Sequence, residues 1–189
     1  MEEFQMHLNN IARILLLTGA VTLVGCGGSG GSGGDNVADD GGTTTPTDCQ
    51  MTDLDKQLLK AHNEARAQAR SCGGEDYDKA PALTWNCKLA AAASAHSKDM
   101  ADNNFFNHTG SNGLSVGARV KSQGYFYQRV GENIAAGYGS VSQVMKGWLD
   151  SPGHCANIMS KGYTEMGAAK VDASGADYPT YWTTVFGHR

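Results

Sequence analysis

LTWNCKLAAAASAHSKDMADNNFFNHTG, residues 83–110, carries a helical repeat that opens at an asparagine and closes in a polar loop. Asn86 is a good helix N-cap, and Leu89, Ala93, His96 and Met100 follow at spacings of four, three and four, the repeat of one helix face. The spacing predicts a helix from Asn86 to about Asn103, with His96 on its buried stripe. Upstream, Leu54, Leu58, Ala61, Ala65 and Ala69 form the apolar stripe of a helix spanning Asp53 to Arg70. Thr52 with Asp55 resembles a capping box at its start, and Gly73-Gly74 is expected to close it.

Downstream, Ser140 and Gln143 form another capping signature, ahead of Val141, Val144, Met145, Trp148 and Leu149. A third helix is expected to end near Asp150. Ser151-Pro152 then restarts the chain, with Ser151 as N-cap and Pro152 at the first position of a short helix closed by Gly162. Residues 132–137, 163–171 and 181–186 read as strands, the last two joined by the turn-rich DASGAD at 172–177. Helices precede and interrupt a few strands, with too few crossovers for a doubly wound sheet, so the class is a layered α+β domain.

The N-terminal quarter is of another kind. Arg13 precedes a mostly apolar run from Ile14 to Val24, too short for a bilayer span of roughly 20 residues. It reads as a secretory signal. LVGC at 23–26 looks like a bacterial lipobox, so residues 1–25 are expected to be a lipoprotein signal peptide and Cys26 the lipidated residue. Glu2 and Glu3 suit such a leader badly, and a start at Met6 suits it better. Residues 27–48 hold 18 Gly, Ser, Thr or Asp among 22, a composition that cannot bury enough surface to offset its ordering entropy. They are read, with Cys26, as a flexible tether. The globular domain is 49–189.

That domain carries 14 Lys and Arg against 13 acids, because six of the 19 acids lie before Cys49. Such a balance gives no nucleic-acid surface. With Cys26 assigned to lipid, Cys49, Cys72, Cys87 and Cys155 remain, and four cysteines in an oxidising compartment imply two disulfides. Three pairings are open. Zinc held by these thiols is disfavoured, since no C-x-x-C pair occurs.

Taken in order, AHNEAR (61–66), the stretch 83–110, GENIAAG (131–137), GWLDSPGHCANIM (147–159), YTEMGAA (163–169) and YWTTVFG (181–187) resemble the CAP superfamily. That group comprises cysteine-rich secretory, antigen 5 and pathogenesis-related 1 proteins. The resemblance implies a three-layer α-β-α sandwich with a central antiparallel sheet and a cleft holding two His and two acids. His108, Glu132 and His154 match three of them. The fourth position, three residues after Trp148, is Ser151, with Asp150 and Glu165 as nearby acids. The resemblance also favours Cys72 with Cys155 and Cys49 with Cys87, the main alternative being Cys72 with Cys87.

Two imidazoles and a carboxylate would suit a divalent metal such as zinc, a general acid–base pair, or a hydrogen-bond network that only satisfies buried groups. His62 and Asn63 are read as structural, and Trp85, Trp148 and Trp182 as core. Three functions follow. The first is a lipid-anchored extracytoplasmic binding module for a small ligand, lipid or cell-envelope partner, at the outer membrane in a Gram-negative host because Gly27 follows the lipid site. The second is a metal-dependent or Ser-His hydrolase using Ser151 and His154, although neither G-x-S-x-G nor H-E-x-x-H occurs. The third is a structural cell-surface domain.

Overall fold

The computed structural model describes residues 49–189; the leader, Cys26 and the tether lie outside the described residues. The elements run α1 (Asp53–Arg66), β1 (Arg70–Cys72), β2 (Glu75–Tyr77), β3 (Thr84–Trp85), α2 (Cys87–Asp102), α3 (Val116–Ser122), β4 (Arg129–Ala136), α4 (Val141–Asp150), α5 (Pro152–Met159), β5 (Glu165–Asp172) and β6 (Thr180–His188). One sheet has the order β3-β5-β6-β4. Its three long strands are antiparallel, and two-residue β3 joins β5 in parallel. The class is α+β.

The two faces of the sheet are covered by different helices. Trp182, Phe186, Met166 and Ala135 belong to the cluster with Leu58, Val144, Trp148, Ile158 and Met159, which come from α1, α4 and α5. Val185 and Tyr125 pack with Leu89, Ala92, Ala93 and Val120 from α2 and α3. Alternate residues of β6 thus feed opposite layers, as the period of a strand requires. At Gly167 an added Cβ would stand 2.0 Å from Ala90 N. Only glycine lets α2 lie so close to the sheet.

Several local expectations are met. Thr52 and Asp55 form the reciprocal capping box of α1. Asn86 caps α2 by accepting from the Lys88 and Leu89 N–H groups. Helix α1 stops at Arg66, however, four residues short of the expected end. Ala69 is exposed, so the buried stripe has already run out. Gly73 and Gly74, at φ +64° and +95°, are instead the turn of the β1–β2 hairpin. The hairpin carries Cys72 to Cys155 on α5, while Cys49 joins Cys87 at the start of α2. Helix α3 and strand β3 had no counterpart in the sequence reading.

Candidate functional site

Glu132 lies on β4 with its side chain 2% exposed, and each carboxylate oxygen has a partner. Arg119 Nη2 donates to Oε2 at 2.5 Å, and His108 Nδ1 donates to Oε1 at 2.8 Å. The other Arg119 amino group donates to the carbonyls of His108 (2.9 Å) and Leu114 (2.8 Å), so one guanidinium fixes both the acid and the loop that carries His108. His96 is fully buried and donates from Nε2 to the Asn107 carbonyl at 3.0 Å, standing 4.0 Å from Glu132. Burial is the largest influence on it and holds its pKa below the ordinary value. It serves as a neutral support of the loop, in the buried position its helical register gave it.

His108 is the outward member, its side chain 56% exposed. His154 approaches from α5, on the other face of the sheet. Burial first, and the charge of His108 second, hold the His154 pKa below its ordinary value. At neutral pH it is therefore an uncharged imidazole. Helix α5 is tied to β4 by Asn157, which donates to Glu132 O (3.2 Å) and Asn133 Oδ1 (2.9 Å), and by Asn133, which donates to His154 O (3.0 Å).

Between the His108 loop and helices α4 and α5 runs a groove of about 320 Å³. Its floor is Ile134 to Ala136 of β4; Trp148, Ser151 and His154 form one wall, and Phe106 and Tyr178 the other. Ser151 occupies the N-cap position of α5, but its side chain makes no capping bond. Neither its hydroxyl nor the His154 ring has a hydrogen-bond partner among the described residues. These two side chains are among the polar groups the groove keeps free.

The other candidates lie elsewhere. Asp150 pairs with Lys146 on the exposed end of α4. Glu165 sits on β5, separated from β4 by β6, and is held by Tyr125 (2.6 Å), Asn86 (2.9 Å) and Arg189 (2.8 Å). Among the described residues no three His, Cys, Asp or Glu side chains assemble as metal ligands. Both Glu132 oxygens are engaged by Arg119 and His108.

Arg119 and Asn157 were missed as site residues. A signal for the first exists: Val116, Arg119 and Val120 share one helical stripe, which sets a charge in an apolar register. Arg66, also missed, is fully buried on the other side of the sheet. It donates to the carbonyls of Pro81, Ile158, Ser160 and Tyr163 at 2.7 to 3.2 Å.

Fold and site together define a disulfide-stapled α-β-α domain with an imidazole–carboxylate rim beside a groove. The family model described as "Cysteine-rich secretory protein family" matches residues 59–186, and the chain belongs to this CAP family. It is 36% identical over 98 residues to the uncharacterized protein YkwD of Bacillus subtilis, covering 52% of this chain and 36% of that one. It is 35% identical over 85 residues to the uncharacterized membrane protein YlbC of the same organism, covering 45% and 25% respectively. The matches thus span about a third and a quarter of these relatives. Among solved structures, an extracellular protein containing an SCP domain from Bacillus anthracis superposes with TM-score 0.59 at 26% identity, covering 75% of this chain and 45% of that one. An outer surface protein of Borrelia burgdorferi does so with TM-score 0.57 at 18% identity, covering 74% and 98%, and shares the fold.

Proposed function

We propose that the protein is a lipid-anchored extracytoplasmic binding module whose groove takes a small ligand, lipid or cell-envelope partner. The observation that carries this reading is the groove itself. It is largely apolar, and the side chains of Ser151 and a neutral His154 are without partners among the described residues, beside exposed Phe106 and Tyr178. A network serving only to satisfy buried groups has no need of such a space. The extracellular SCP-domain protein of Bacillus anthracis, 26% identical, supports an extracytoplasmic location. No helix among the described residues is long and apolar enough to cross a membrane; in this reading the lipid on Cys26 makes the attachment.

The hydrolase reading has less support. Ser151 and His154 share the groove, yet no carboxylate among the described residues orients His154, and Arg119 and His108 hold Glu132. Two experiments test the proposal. Cys26→Ser is expected to move the chain from the membrane to the soluble extracytoplasmic fraction, and unchanged membrane association contradicts the anchor. Native mass spectrometry of chain recovered from its own cell envelope is expected to show a bound species that Ser151→Trp, which plugs the groove, removes without lowering the melting temperature. The same species on both proteins, or none on either, contradicts the groove as the binding site.

A further inference from the structure

The floor of the groove is the outer edge of the sheet, and its hydrogen-bonding groups are only partly used. Gly137 N–H bonds to Thr180 O, and in the β4–β6 register Ala135 pairs with Trp182 and Asn133 with Thr184. Odd-numbered β4 residues therefore bond to β6, and the backbone of Glu132, Ile134 and Ala136 points outward. Two outward carbonyls confirm that parity and are already occupied: Asn157 Nδ2 donates to Glu132 O at 3.2 Å and Trp148 Nε1 to Ile134 O at 3.1 Å. The outward N–H groups of Ile134 and Ala136 have no partner among the described residues, and both residues line the groove.

These two donors select the occupant. They are alternate along a strand, hence about 7 Å apart. An acyl chain laid over them would remove their water and return no acceptor, and buried N–H groups are rarely left unpaired. Acceptors at that repeat are the carbonyls of an extended polypeptide, and an open sheet edge is where such a segment adds. Among the described residues no Lys, Arg, Asp or Glu lines the groove, so its lining favours an uncharged ligand. Phe106 and Tyr178, with ring centroids 6.1 Å apart, offer faces to apolar side chains. Their loops are clasped by Asn104 and Asp177, which exchange hydrogen bonds of 3.2 and 2.7 Å.

Resting on the groove reading above, we propose that the ligand is an uncharged, extended peptide segment that adds as a strand beside β4. Two of its carbonyls accept from Ile134 N–H and Ala136 N–H, and its apolar side chains pack on Phe106 and Tyr178. The test uses the chain carrying Cys26→Ser and an array of blocked linear hexapeptides of random uncharged sequence. N-acetylglucosamine oligosaccharides and phosphatidylglycerol vesicles are the competing probes.

Peptides are expected to bind, and the amide resonances of Ile134 and Ala136 to shift more than those of Asn133 and Ala135. Ala136→Pro removes one floor donor at an edge where proline is tolerated; it is expected to weaken the best peptide at least tenfold at an unchanged melting temperature. The amide shifts decide the matter even if that variant fails to fold. Oligosaccharide or vesicle binding that Ser151→Trp blocks, with no peptide binding, overturns strand addition and leaves the groove reading standing. Peptide binding that leaves Ile134 and Ala136 unshifted, or that Ser151→Trp does not affect, also overturns strand addition.

Discussion

Two buried guanidinium groups stand on opposite faces of the sheet, and they are held in different ways. Arg66 binds four backbone carbonyls and no carboxylate. Two of those carbonyls, Ile158 O and Ser160 O, lie at the C-terminal end of α5, where helix carbonyls lack partners and a cation is favoured. Burial pushes its pKa down only to about 10, so it stays charged at neutral pH. Arg119 instead pairs with Glu132, which in turn holds the half-exposed His108 at the rim of a groove. The first cluster ends in backbone and is scaffold. The second ends in a side chain that faces solvent, and that is what makes it a candidate site.

Substitution separates the two most strongly. Arg66→Met leaves four carbonyls without their donor, and urea unfolding is expected to show a loss of about 3 to 5 kcal/mol with no second substitution that restores it. Arg119→Met is expected to cost about as much by stranding a buried carboxylate, but Arg119→Met with Glu132→Leu should recover most of that loss, because an apolar pair can replace a buried ion pair. A double variant no more stable than the single one would break the distinction.

The pH dependence has its one large histidine shift on the Arg66 side. Burial pushes His62 down to about 4, against the pull of its bond to Leu58 O and helped by the charge of Arg66. Above about pH 6.5 this side chain is neutral in both folded and unfolded chains. As pH falls from about 6.5 to 4, the unfolded chain takes up a proton that the folded one refuses, and roughly 3 kcal/mol of stability is lost. His96 and His154, shifted the same way, add to that slope. His62→Leu should give a shallower fall in unfolding free energy across this window; an identical slope would remove His62 as its main source.

A smaller contrast lies between two serines at helix starts. Ser140 accepts from the Gln143 N–H at 3.3 Å, whereas Ser151 makes no such bond. Ser140→Ala is expected to lower stability by about 1 kcal/mol, and Ser151→Ala to stay within about 0.5 kcal/mol. Equal losses in thermal melts would mean that Ser151 is a cap and not a free groove hydroxyl.

What could be read from the sequence follows from how local each feature is. The starts of α1, α2 and α4 are written in residues three or fewer apart, Thr52 with Asp55, Asn86 with Leu89 and Ser140 with Gln143, and all are found where expected. Helix α1 ends early where its buried stripe runs out. The hairpin that follows turns on two glycines and is tied by a disulfide to a residue 83 positions away, which periodicity does not register. Strand β3 exists only because β5 lies beside it. His108, Glu132 and His154 could be named from family motifs, but their restraint could not. Arg119 comes from a seven-residue helix, and its partner is 13 positions on. Residue type supplied the donors at this site, whereas the claim of Arg119 on one Glu132 oxygen shows only in the fold.

Whether the outer edge of β4 is open to a ligand is read most directly by amide hydrogen exchange at single-residue resolution in the ligand-free chain. Asn133 and Ala135, bonded to β6, are expected to exchange slowly, while Ile134 and Ala136 exchange much faster in strict alternation. Uniform protection across 133–136 would mean that the edge is already covered, and it would contradict a ligand held by the free amides of β4.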